Sequence, residues 1–201
     1  MRPDRSAITG VVLCGGAGRR LDGADKPLLA SGGRAMLDEV LERLAPQVST
    51  ILISANRHLE DYTRRGWPVL RDATPDRGPL EGVLAAARAA TTEWLLVCPG
   101  DAPRLPRTLG ADLAVAVGHA DAACARDGER AHPLHLLVRT ARARTLHAWL
   151  DAGGRSALAW LNEVDGVQCC MDGADDAFLN INTTTDRERW QALAAEGVRT
   201  A

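Results

Sequence analysis

Short unbroken apolar runs alternate along this chain with longer stretches in which apolar residues recur at helical spacing. Ile8 to Cys14 is the first such run and predicts a buried strand. Met36, Val40, Leu41 and Leu44 recur three and four residues apart, which predicts a helix ending near Pro46. Ile51-Leu52-Ile53 predicts a second strand and Val69-Leu70 a short third. Leu80, Val83, Leu84 and Ala87 form another amphipathic helix. Trp94 to Cys98 reads as a strand that stops at Pro99-Gly100-Asp101. Leu109, Leu113 and Val117 predict a helix, followed by strands at Ala122 to Ala125 and Leu134 to Val138. Leu146, Trp149 and Leu150 belong to a helix ending near Gly153-Gly154, and Leu158 and Leu161 to a shorter one. Val167 to Met171 and Phe178 to Ile181 read as late strands, and Trp190 and Leu193 as a terminal helix.

Alternation of this kind predicts an α/β fold, a mostly parallel sheet with helices on both faces. Such sheets bind ligands beyond the carboxyl ends of their strands, near the point where strand order reverses. The residues at those ends are Gly15-Gly16, Ala55-Asn56-Arg57, Asp72 and Asp101.

Length and composition narrow the class. At 201 residues the chain suits one domain with its own core. A net charge of −2 lacks the basic excess of a nucleic-acid binder. No apolar run approaches the length of a membrane span, and Met1 to Ser6 lacks the apolar core of a signal peptide. The five cysteines are an odd number and none has C-x-x-C spacing, so a reducing cytoplasm is expected. Cys169 and Cys170 are adjacent on a strand, where side chains point to opposite faces, which argues against a redox pair. His58, His119, His135 and His147 have no companion at metal spacing. The five scattered tryptophans read as packing residues.

The chemistry concentrates at the end of the first strand, in Leu13-Cys14-Gly15-Gly16-Ala17-Gly18-Arg19-Arg20-Leu21-Asp22-Gly23-Ala24-Asp25-Lys26-Pro27. Glycines let backbone N–H groups approach a ligand, and three cations follow closely, a combination suited to a polyphosphate. A Walker loop would need Ser or Thr after its lysine, where Pro27 follows Lys26. A dinucleotide fingerprint would need Gly or Ala where Leu21 stands. Asp101, at a strand end between small neighbours, reads either as a cap of the following turn or, better, as a ligand of Mg²⁺, which takes one or two carboxylates plus phosphate oxygens and water. Asn56 and Asp72 read either as turn residues or as donors and acceptors for a base or ribose. Pro79, after Gly78, reads as a helix start. Asn180 and Asn182 place two amides on one side of a strand, where a ligand or a loop backbone could partner them. Asp127 to Pro133 reads as a polar loop tip in which His132 could meet an anion.

Taken together these segments resemble the molybdenum cofactor guanylyltransferases, the MobA family. The series runs from Leu13-Cys14-Gly15-Gly16 with Arg20, Asp25-Lys26 and Leu28-Leu29, through Ala55-Asn56-Arg57-His58, Asp72 and Gly78-Pro79-Leu80-x-Gly82. It continues with Cys98-Pro99-x-Asp101-x-Pro103, Asp127-Gly128-Glu129-Arg130-x-His132-Pro133 and Asn180-x-Asn182-Thr183. It covers about Ile8 to Trp190. Cys14 stands where the family usually has Ala, Asp22 where Gly is common, and Thr184-Thr185-Asp186 where Pro and acidic residues are common.

The resemblance implies a Rossmann-like nucleotidyltransferase fold that uses GTP with Mg²⁺ and molybdopterin, the molybdenum cofactor, as second substrate. By resemblance, Leu13, Cys14, Gly15 and Gly16 line the nucleotide site, and Asn56 and Asp72 contact the nucleoside. Lys26 and Arg20 meet the phosphates, Asp101 holds Mg²⁺, and Asn180 and Asn182 face the pterin. It further implies a nucleotide-binding part at about 8–105, a pterin part at about 106–190, and molybdenum-cofactor insertion proteins and recipient apo-enzymes as partners. A cytidylyltransferase acting on the same or another phosphate acceptor is an alternative, as is a non-catalytic carrier of nucleotide or pterin.

Overall fold

The first apolar run forms β1 (Ile8–Leu13), buried along its whole length. The computed structural model describes residues 2–14, 25–31, 33–171, 177–178, 181, 183, 185–186, 188 and 190–191. After β1 come a small hairpin of β2 (Ala30–Ser31) and β3 (Arg34–Ala35), helix α1 (Met36–Leu44) and β4 (Thr50–Ser54). Helix α2 (Leu59–Thr63), β5 (Val69–Leu70), α3 (Pro79–Ala89) and β6 (Trp94–Pro99) follow. The second half contains α4 (Leu109–Ala116), β7 (Ala122–Arg126), β8 (Ala131–Arg139), α5 (Thr140–Arg144), α6 (Leu146–Asp151), α7 (Ala157–Glu163) and β9 (Val167–Cys170).

Seven strands form one sheet in the order β5-β4-β1-β6-β8-β7-β9. β8 alone runs against its neighbours; β1 pairs parallel with both β4 and β6. Side chains alternate across a strand. Val12, Ile53, Leu96 and Cys98 therefore share one face, covered by Leu37, Val40 and Leu44 of α1 and Leu109 and Leu113 of α4. Val11, Leu13, Leu52, Leu95 and Val97 share the other, under Leu80, Val83 and Leu84 of α3, Leu146 and Leu150 of α6 and Trp160 and Leu161 of α7. Helices lie on both faces, as the alternating pattern predicts.

From β1 the chain crosses through α1 to β4 on one side, and β6 lies on the other. The carboxyl ends of β1 and β6 thus meet at the point where strand order reverses. Near the C-terminus, Ile181 and Trp190 pack on Met36 of α1, and the Trp190 indole N–H donates to Glu39 Oε2 at 3.4 Å.

The predicted strand at Phe178 to Ile181 is not borne out at its described ends. Phe178 lies in a turn and Ile181 in no regular element. Ile181 spends its N–H on the Asp101 carbonyl, at 3.0 Å, instead of a strand neighbour. Helices α2 and α5 are short and polar, with no apolar repeat to announce them. β8 extends from Ala131 to Arg139, well beyond the run at Leu134 to Val138.

Leu96, fully buried on the central strand against α4, tests this core. Leu96→Ala is expected to cost about 2–5 kcal/mol, through lost transfer energy and the cavity left behind. Urea unfolding at 25 °C checks it, with an unchanged m-value as the sign of an intact fold.

Candidate active site

The site is built on the joint between β1 and β6. The Gly100 N–H donates to the Leu13 carbonyl at 2.9 Å, and the Cys14 N–H to the Ser54 carbonyl at 2.8 Å. A Cβ at position 100 would lie 2.7 Å from Cys14 Sγ and 3.3 Å from both Leu13 O and Pro27 Cβ. Only glycine lets the two strand ends and the Pro27 turn come this close. That turn is a single 3-10 turn, Lys26–Leu28, closed by Leu28 N–H to Asp25 O at 3.0 Å and Leu29 N–H to Lys26 O at 2.9 Å. Leu29 O then accepts from Met36 N–H, at 3.1 Å, which ties the turn to α1.

Asp101 follows directly from this joint. Burial pushes its carboxyl pKa up, and the charge of Lys26 pulls it partly back. Asp25 is also raised, mainly by burial, against the opposing effects of Tyr62, His58 and Arg57. The Cys14 thiol is driven well up, first by desolvation and then by the charges of Asp25, Cys98 and Asp101. Tyr62 is fully buried, and its hydroxyl reaches the Asp25 carboxyl and the Cys14 thiol, holding both partly down. Leu13, Cys14, Lys26 and Asp101 therefore converge at one point.

A second group lies beyond β4 and β5. Asn56 Nδ2 donates to Asp72 Oδ2 at 2.7 Å, and the Asp72 N–H returns a bond to Asn56 Oδ1 at 3.0 Å. This reciprocal pair joins the ends of two strands and leaves Asn56 exposed at the sheet edge. His58, at the start of α2, has a left-handed backbone (φ 47°). Gly78, before α3, has φ 81° and ψ −176°, a region open essentially to glycine alone. Pro79 then opens α3 as its first residue, where a missing N–H costs nothing.

A third group lies on the β7–β8 hairpin. His132 Nε2 sits 2.6 Å from Asp127 Oδ2. The His132 ring stacks on Phe178 with centroids 4.6 Å apart, and the buried His135 meets Phe178 edge-on at 4.9 Å. Sequence reasoning took this segment for a loop tip. The Asp-Gly turn signal ahead of His132 was the available clue to a hairpin that carries its own aspartate–histidine pair. Tyr62 was missed because α2 has no apolar period.

Gly15, Gly16, Arg20, Asn180 and Asn182 lie outside the described residues. All five cysteines are free thiols; Cys169 is half-buried and Cys170 exposed. Among the described residues no cluster of three or more His, Cys, Asp or Glu could hold a metal ion, and no helix is long and apolar enough to cross a membrane. A cavity of about 680 Å³, lined in part by Arg88, Glu93, Arg139 and Arg144, opens at the far end of β6. Arg139 pairs there with Glu93 and Asp121, and Arg144 caps the Ala87 and Ala90 carbonyls, so these two cations are engaged in the fold.

The family model for the MobA-like NTP transferase domain matches residues 10–165, from within β1 to just past the end of α7. The chain belongs to this family. It is a nucleotidyltransferase by that membership. It is 42% identical over 185 residues to a molybdenum cofactor guanylyltransferase of Serratia proteamaculans (strain 568), covering 92% of this chain and 94% of that one. Its fold resembles molybdopterin-guanine dinucleotide biosynthesis protein A of Archaeoglobus fulgidus, with TM-score 0.78, 23% identity, and coverage of 94% and 99% of the two chains. It also resembles 2-C-methyl-D-erythritol 4-phosphate cytidylyltransferase of Thermus thermophilus, with TM-score 0.68, 20% identity, and coverage of 92% and 98%. The fold is thus shared across nucleotidyltransferases of different base choice.

Two stability outcomes follow from this geometry. Gly100→Ala must push Cys14, the Leu13 carbonyl or Pro27 aside, and is expected to cost about 1–3 kcal/mol in chemical denaturation. His135 is buried and its pKa is pushed down to about 3, chiefly by desolvation. Its unfolded value is near 6.5, so between the two the unfolded state binds the extra proton, and stability falls as pH drops through about 6.5. From pH 7 to pH 5 the wild type is expected to lose on the order of 2 kcal/mol more than His135→Leu. Equal losses in paired urea titrations would remove this account.

Proposed function

We propose that this nucleotidyltransferase transfers GMP from GTP to the phosphate of molybdopterin, releasing pyrophosphate and forming the guanine dinucleotide cofactor. The observation that carries the reading is the convergence of Leu13, Cys14, Lys26 and Asp101 at the switch point. The substrates come from the names of its guanylyltransferase relatives. In this reading the stretch at 8–105 binds nucleotide, the stretch at 106–190 serves the acceptor, and the protein works in the cytoplasm.

The donor set fits a divalent ion shared with substrate. Asp101 offers one desolvated hard-oxygen ligand beside a cation, and the described residues hold no cluster that would cage a resident metal. Mg²⁺ suits such a place, because it keeps waters and takes phosphate oxygens alongside one or two carboxylates. When bound, it supplies charge neutralisation at the α-phosphate.

The chain's own groups do the rest. Asp101 anchors the ion side, Lys26 meets the β- and γ-phosphates, and Arg20 adds a second cation there. Asn56 and Asp72 present a paired amide and carboxylate to the nucleoside. The acceptor phosphate is already ionised near neutral pH, so one of its oxygens attacks the α-phosphorus without a dedicated base. A new P–O bond forms, the bond to the β-phosphate oxygen breaks, and pyrophosphate leaves with its electron pair. The rate then comes from alignment and from fixed charge around developing charge. Asn180 and Asn182 would meet the pterin.

The test is pyrophosphate release with Mg²⁺ and molybdopterin, comparing GTP, CTP and ATP. Pterin-dependent release with GTP alone is expected. Release with CTP would retain the mechanism but make the enzyme a cytidylyltransferase, and GTP binding without release would make it a carrier. Asp101→Asn and Lys26→Met should each lower turnover by about 10²–10³-fold, the scale of losing one preorganised charge contact.

A further inference from the structure

Asp127 uses its two carboxylate oxygens for different purposes. Oδ1 accepts the N–H groups of Glu129, at 2.9 Å, and Arg130, at 2.6 Å, which closes the β7–β8 turn. Oδ2 is left for His132 Nε2, at 2.6 Å. The turn needs only the first oxygen.

The register shows where this pair points. Val97 of β6 is the last residue paired with β8, opposite Leu136, so the antiparallel β8 residues before Leu136 lead along Cys98 and Pro99 toward the carboxyl end of β6. On the other side Cys124 faces Leu136 while Ala125 faces His132, so residues 133–135 have no partner on β7. A bulge of this kind re-aims side chains beside a sheet's working end. His132 then lies against Phe178, with planes 25° apart. Three residues further on, the Ile181 N–H reaches the Asp101 carbonyl at 3.0 Å. Contacts therefore run from the Asp127 carboxylate through His132 to Phe178, and Ile181, three residues on in sequence, bonds the Asp101 backbone.

We propose that the Asp127–His132 pair positions the acceptor end of the active site by fixing the plane of Phe178, three residues ahead of the Ile181 N–H that bonds the Asp101 carbonyl. His132 is a positioning residue in this account. The inference rests on the function given above, which assigns that end to the pterin phosphate.

Two variants test it. Asp127→Asn keeps an oxygen for the turn and removes the second carboxylate oxygen, and His132→Ala removes the ring. Steady-state kinetics in molybdopterin and in GTP, with a thermal melt of each variant, give the readout. The acceptor KM is expected to rise about 3- to 10-fold, the scale of one aromatic pair, with the GTP KM changed less than about twofold. Unchanged acceptor KM, or both KM values rising together in step with a lowered Tm, would overturn the positioning role. If His132→Ala does not fold, Asp127→Asn decides alone. Wild-type protein without pterin-dependent release would sink the functional reading and this inference together. Active wild type with indistinguishable variants would sink the inference only.

Discussion

The close approach of β1 and β6 at Gly100 is the constraint on which the site depends. No Cβ fits there between Cys14, the Leu13 carbonyl and Pro27. One backbone hydrogen bond, Gly100 to Leu13, therefore sets the positions of three things at once. It places the start of the glycine loop after Cys14, the turn that carries Lys26, and the strand end that carries Asp101. Parallel strands splay little, so a joint this tight leaves charged groups from different elements no freedom to drift apart. Preorganisation of this kind is what phosphoryl chemistry needs, since most of its catalysis is positioning and fixed charge.

The same joint explains the electrostatic character of the site. Two carboxylates, Asp25 and Asp101, and a thiol are drawn under cover, and desolvation raises all three. Lys26 offsets Asp101 only in part. Desolvated carboxyls of this kind gain from a cation, which favours their charged forms. The ends of β4 and β5 are arranged differently. Asn56 and Asp72 satisfy each other, so each holds the other in place, and a ligand reaching them must share or displace those bonds.

The layered α/β architecture was legible because its evidence is local. Apolar runs such as Ile8 to Cys14 and Trp94 to Cys98 had to be buried strands, and the three-and-four spacing of Met36 to Leu44 had to be a helix. The reversed direction of β8 was less accessible, since the Asp127-Gly128 turn was read as a loop tip and not as the hinge of a hairpin. Phe178 to Ile181 misled for the same physical reason. Phe178 and Ile181 are buried, but Phe178 packs against two histidines and Ile181 bonds to Asp101, neither of which is a ladder. Alternation reports which side chains are buried and not what the backbone does with its N–H groups. At the site, Asp101 could be picked out because strand ends in parallel sheets are privileged positions, and Lys26 because it follows a glycine-rich stretch with two other cations. That Asn56 and Asp72 partner each other could not, because the bond joins two strand ends sixteen residues apart in sequence.

The antiparallel strand gives the fold its second working edge. A sheet of parallel strands gathers ligand contacts at their carboxyl ends, and each such strand contributes whatever immediately follows it. β8 enters from that end, so the residues ahead of its pairing with β6, His132 and His135, are carried toward the same edge. The chain can thereby present a side-chain cluster from residues that come before a strand, where a parallel strand offers only those that follow it. Strands of opposite direction thus meet at β6, parallel β1 on one side and antiparallel β8 on the other, and backbone hydrogen bonds, not flexible side chains alone, fix the geometry between them.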